Sequence, residues 1–168
     1  YDLASLTKVV ATTTAVMLLR DDGVLDLDQP VAEFVPAPAF KAFTVRCLLT
    51  HTTGLSAYEA WYEIVHSLNE MLQRIAGLEP SWTPGARRRY SDLGFMILGK
   101  LVELAARDSL EAFCRKRIFD PLSMQRTTFK PPADWRNECA ATELCAWRGR
   151  VMHGEVHDEN AYAVGGIS

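Results

Sequence analysis

Long uncharged apolar runs are absent from this chain: each is broken by a charged side chain well before the ~18 residues that a membrane-spanning helix needs. Basic residues are also too few for a nucleic-acid partner. Eighteen Lys and Arg stand against 21 Asp and Glu, for a net charge of -3, and the one basic run, Arg87-Arg88-Arg89, is too short to track phosphates. Cysteine is scarce, with four residues and no C-x-x-C pair, which argues against a thiolate zinc site. Cys47 and Cys114, in helical and partly apolar surroundings, read as buried free thiols. Cys139 and Cys145 could pair or stay free. No basic and apolar leader opens the chain, and there is no internal repeat or low-complexity segment.

What is there suits a folded body. The 168 residues are 48% apolar with four tryptophans, enough for one domain with a core, or part of one. The first residues read as the opening turn of a core helix and Gly165-Gly166-Ile167-Ser168 as a glycine-rich loop. The expectation is therefore a partial domain over 1–168, truncated at both ends. From Leu3 to Arg20 apolar residues, Leu6 and Val9 among them, fall on nearly every face, which predicts an enclosed helix with Asp2 as its cap and Gly23 as its stop. Val24 to Phe40 carries three prolines and predicts extended, loop-like chain. Thr44 can cap a short helix that Gly54 ends.

A second helix is predicted over 59–75, stopping at Gly77. Pro84-Gly85 marks a turn, followed by a short extended run and a helix from Ser91 or Asp92 to about Arg107. Ser109 caps another that ends before Pro121. Beyond Thr128 helical periodicity is lost, and the best hints of strand lie between Arg150 and Asp158.

Chemistry is concentrated in "SLTK" at Ser5 to Lys8. Residues i and i+3 share a helix face, so the Ser5 hydroxyl and Lys8 ammonium can meet. Near a helix start, free backbone N–H groups and the positive dipole end favour a developing oxyanion. A lysine on an apolar helix loses hydration, which favours its neutral, basic form. The bland reading is a helix-terminal pair with a solvated lysine. With eight serines and five lysines, roughly 0.2 chance S-x-x-K matches are expected, so the motif weighs more for its place on a buried helix than for its existence. Tyr90-Ser91-Asp92 stands where an extended run meets a helix start. A tyrosine beside a lysine can shuttle a proton; locally it could equally be a packed tyrosine before a Ser/Asp cap.

"SLTK", "LLTHTTGL" at Leu48 to Leu55 and "PGARRRYSDLGF" at Pro84 to Phe95, in that order and spacing, resemble the serine hydrolases of the penicillin-binding protein and class C β-lactamase superfamily. The tail from Trp147 is similar to its penicillin-binding protein 4B-like branch. The resemblance implies an α+β, β-lactamase/transpeptidase-like fold, of which this chain would be mostly the helical region with few strands. It implies Ser5 as acylated nucleophile, Lys8 as its activator and Tyr90 as the group that handles the proton. Asp92 takes the place usually held by a substrate-binding asparagine. An ionised aspartate cannot donate a hydrogen bond; it would pair with Lys8 and move preference away from typical β-lactams. The resemblance implies that His51 holds a loop in place. The third family motif, Lys-Thr-Gly or His-x-Gly on a strand, is not found and is expected beyond Ser168, so the chain alone is expected to be inactive.

The function implied is acyl transfer to water from a D-alanyl peptide, β-lactam or ester, with no cofactor and a small-molecule or peptidoglycan-peptide substrate. A non-hydrolysing penicillin sensor, acylated at the same serine, is the alternative. The family points to the cell envelope or secretion. His153, Glu155, His157 and Asp158 read as a metal site or, more simply, as a hydrogen-bonded loop beside the active site. Tyr58, Trp61 and Tyr62 read as cleft lining or as core. Arg87 to Arg89 is expected to alternate between solvent and a carboxylate.

Overall fold

The computed structural model describes residues 1–165; Gly166 to Ser168 of the expected glycine-rich loop lie outside the described residues. The first helix is not one regular α-helix. Asp2 Oδ1 accepts the Ala4 N–H at 2.8 Å, a tight turn follows over Ala4–Leu6, and a widened π-type turn over Lys8–Thr13 leads into α1, Thr14–Asp21. The widening has a local cause. Thr14 is the third of three consecutive threonines, and its Oγ1 donates to the Val9 carbonyl, five residues back, at 2.9 Å. Ala11, Ala15, Val16 and Leu19 are buried, but Leu6 and Val9 are exposed, so the helix packs along one face instead of being enclosed. Gly23 ends it as expected, in a left-handed conformation at φ +72°.

Enclosure belongs to a later helix. The proline-containing stretch makes short 3₁₀ turns at Val31–Glu33 and Pro38–Ala42. The Thr44 side chain then accepts the Cys47 N–H and starts α2, Val45–Leu49. This helix closes at His51 (φ +58°), three residues before the predicted Gly54, with the Thr52 N–H returning to the Cys47 carbonyl at 2.8 Å. The helix predicted over 59–75 is shortened to α3, Leu68–Ala76. Ser67 accepts the Glu70 N–H while Glu70 reaches back to the His66 N–H, so capping fixes the start nine residues later than apolar spacing implied.

Ser91 caps α4, Asp92–Ala106, which is buried from Leu93 through Gly99 and again at Leu101 and Val102. It is the central helix, with α1, α2, α3 and α5 (Leu110–Cys114) packed around it. Ser109 caps α5, which continues as a π-type turn through Phe119, ahead of Pro121 as predicted. The tail is more ordered than its sequence implied. Strand β1 (Ala141–Cys145) pairs antiparallel with β2 (Arg150–His153), pairing Leu144 with Val151 and Cys145 with Arg150, and Asp158 caps a short α6, Glu159–Ala163. All four cysteines are free, Cys139 and Cys145 included.

Candidate active site

Ser5 sits at the head of the irregular helix, directly after Ala4, whose φ of +45° is sterically costly for a residue with a Cβ. One turn on, Lys8 is buried and its Nζ lies 3.3 Å from Ser5 Oγ. Tyr90, 85 residues away in sequence, reaches the same Oγ with its hydroxyl at 2.7 Å. Asp92, in the first turn of α4, pairs with Lys8 Nζ at 2.8 Å, and its side chain keeps 22% exposure against 5% for the lysine. All four sequence-predicted site residues therefore meet. A buried ammonium needs a partner, and the Asp92 carboxylate supplies one. Lys8 Nζ also lies 5.5 Å from the centre of the Tyr90 ring and 5.7 Å from that of Phe95, within cation–π range.

Backbone pairing between two distant segments carries Tyr90 to this place. The His51 carbonyl accepts the Arg89 N–H at 2.9 Å, Ala57 the Asp92 N–H at 3.0 Å, and Thr52 the Gly85 N–H at 2.8 Å. Gly54 is required at this seam. Its φ is +84°, and a Cβ there would stand 2.8 Å from the Trp82 carbonyl oxygen. Ser91 Oγ donates to the Ser56 carbonyl at 2.7 Å, and the Ser91 N–H to His51 Nδ1 at 3.2 Å. The expected carboxylate partner of the arginine run is replaced by aromatic contact: Arg89 lies 4.4 Å over the Trp82 ring and bonds Ser81.

Ser5, Lys8 and Asp92 face a cleft of about 450 Å³ whose other wall includes Phe129, Trp135 and His157. Burial, followed by the positive charges of Arg88 and Lys8, holds the His51 imidazole below its ordinary value. Burial pushes the Tyr58 phenol up to about 12, with Asp158 and Glu159 adding to it. Burial also raises the Asp158 carboxyl, with Asp92 among the charges that reinforce the shift. In such a site a serine oxygen can lose its proton to one neighbour while another steadies the charge that develops.

The second polar cluster read from the sequence does not converge. His157 Nε2 lies 3.0 Å from Glu143, Glu155 pairs with Arg136 and Arg150, Asp158 caps α6, and His153 Nε2 contacts the Cys139 carbonyl at 2.6 Å. The loop is nonetheless tied to the cleft, because the His157 N–H donates to Asp2 Oδ2 at 2.8 Å. Of the three aromatics, Trp61 packs on the core and Tyr62 meets Trp147 with ring centres 5.0 Å apart and tilted by 56°; neither lines the Ser5 cleft. Sequence reasoning missed Phe95 as a wall beside Lys8. Its place one helical turn after Ser91 and Asp92 was the available signal.

A helical body with a short hairpin and a Ser-x-x-Lys pair met by a distant tyrosine defines the penicillin-binding protein and β-lactamase superfamily of serine hydrolases. The β-lactamase family model matches residues 1–168, and the chain belongs to that family. It is 31% identical to a putative D-alanyl-D-alanine carboxypeptidase of Escherichia coli, across 100% of this chain and 46% of that protein. The chain thus spans about half the length of the curated relatives it matches. Among solved structures, a class C β-lactamase superposes with a TM-score of 0.75 at 25% identity, over 96% of this chain and 44% of that one. The octameric penicillin-binding protein homologue of Pyrococcus abyssi gives 0.73 at 26%, over 98% and 39%. The α+β assignment holds.

Proposed function

We propose that Ser5 is an acylated nucleophile and that the protein hydrolyses the terminal bond of a D-alanyl peptide. The observation that carries this reading is the position of Ser5 Oγ, 3.3 Å from Lys8 Nζ and 2.7 Å from the Tyr90 hydroxyl. Ser5 Oγ attacks the carbonyl carbon and gives its proton to Lys8 Nζ, which enters this step as the neutral amine and leaves it as the ammonium. The tetrahedral intermediate collapses, the C–N bond breaks and the proton is returned to the departing amine. Water then attacks the acyl-serine ester and frees the acid. As the ammonium formed by that transfer, Lys8 pairs with Asp92 at 2.8 Å and steadies negative charge on the oxygens around it.

The substrate class draws on the relatives named as D-alanyl-D-alanine carboxypeptidases. It also draws on Asp92, which offers no N–H to a β-lactam's acylamido carbonyl. Simple esters are the next substrates to test. The full-length protein, incubated with a peptide ending in D-alanyl-D-alanine, should release D-alanine and show a transient acyl adduct on Ser5 by mass spectrometry. A folded sample that gives no release and no adduct would overturn the reading. An adduct with fluorescent penicillin that survives a chase would assign a sensor instead.

A further inference from the structure

We infer that His51 is a positioning residue for Tyr90, and that it does this work only as the neutral imidazole with Nδ1 free of a proton. Two contacts define the role. Nδ1 is the acceptor for the Ser91 N–H at 3.2 Å, in the residue that follows Tyr90. The ring itself packs on the Tyr90 ring, with centres 4.6 Å apart, and on Phe95 at 5.0 Å. The His51 carbonyl also takes the Arg89 N–H. Tyr90 is therefore clamped from the residue before it, the residue after it and its own ring face, all by one histidine.

The Ser91 amide is a permanent donor, so the nitrogen that meets it must be an acceptor, which leaves the ring proton on Nε2. Adding a second proton places N–H against N–H and removes the acceptor. The surroundings work against that proton: Lys8 from the first helix and Arg88 from the 88–92 segment oppose it, Asp92 favours it, and Tyr90 and Phe95 offer apolar ring faces. Burial acts with the two cations, so His51 titrates below its ordinary value near 6.5. The sign follows from linkage. Above that value the folded state keeps the full contact, and as pH falls through the lowered value the contact is lost. Tyr90 should then drift from Ser5 while the core, in which His51 touches only Phe95 by its ring, stays folded.

The effect on turnover rests on the proposed role of Tyr90; the tie to Ser91 does not. Two variants separate side chain from backbone at the left-handed position. His51→Gly suits the φ of +58° and removes the ring. His51→Asn also tolerates that conformation and offers an amide oxygen near the place of Nδ1, without a titratable proton. In the full-length wild type, nuclear magnetic resonance should show the Ser91 amide shifting with the same midpoint as the His51 ring, and kcat should fall on the acid side with that midpoint. His51→Gly should lower kcat at neutral pH by tenfold or more with KM changed less than threefold. His51→Asn should recover most of that loss and lack the acid limb. A Ser91 amide that ignores the His51 titration overturns the inference whatever the turnover. So does wild-type kcat in His51→Gly, or an acid limb that persists unchanged in His51→Asn. If the amide tracks the ring but the wild type turns over no acyl substrate, the positioning holds and the proposed function fails.

Discussion

Two polar clusters border the same cleft, one through Ser5, Lys8 and Asp92 and the other through Glu155, His157 and Asp158, and they are built in opposite ways. Ser5 and Tyr90 are 85 residues apart, yet with Lys8 and Asp92 they form one connected network around a buried ammonium. His153, Glu155, His157 and Asp158 are near neighbours in the chain, yet each turns to a different partner: a carbonyl, two arginines, Glu143 and the start of α6. Nearness in sequence made the second group look like a site, while burial of Lys8 drew the first group together. A charge withdrawn from water has to be paired and hydrogen-bonded, which forces distant groups to converge on it. Ion pairs at the surface impose no such demand and contribute little.

Four substitutions test that contrast, beginning with the largest effect. Ser5→Ala should abolish acyl-adduct formation and lower turnover by on the order of 10⁴-fold or more, measured as D-alanine release from a sample of unchanged circular dichroism. Tyr90→Phe removes one hydroxyl and should cost roughly 10²- to 10³-fold in kcat at neutral pH. A wild-type rate would show that the 2.7 Å contact is only packing. Asp92→Asn exchanges an acceptor for a donor and frees Lys8 of its counter-ion. Penicillin acylation should rise by about tenfold relative to peptide hydrolysis, because the amide can meet an acylamido carbonyl. Equal or slower acylation would remove Asp92 as the selector. Arg150→Gln breaks an exposed pair with Glu155 and should change stability by less than about 0.5 kcal/mol, with turnover within twofold. A tenfold loss there would bring the second cluster into the chemistry and erase the contrast.

Much of the scaffold was legible because it is written locally. Thr44, Ser91 and Ser109 each cap the helix predicted for them, since a cap needs only a hydroxyl and an N–H three residues on. The same logic would have corrected the helix over 59–75, where Ser67 and Glu70 mark the true start. Apolar spacing misled there because Val65 is buried from a turn, not from a helix face. The π-type turn after Lys8 was not readable, for it depends on one threonine hydroxyl choosing the Val9 carbonyl. Strand β1 was missed as well. Four of its five residues are exposed, so it carries no alternating apolar signal.

Residue order alone settles the components of this protein: the Ser5 and Lys8 pair on one helix face, the caps, the turn at Gly85, and the family to which the chain belongs. Contacts closed within one helical turn depend on neighbours, so a short stretch can specify them. Folding in three dimensions settles the rest, namely that α4 and not the first helix is enclosed, that the Tyr90 hydroxyl ends at Ser5, and that His51 presents a bare Nδ1 to Ser91. Those outcomes rest on packing between segments tens of residues apart, summed over the whole core, and no local pattern of residues encodes that sum.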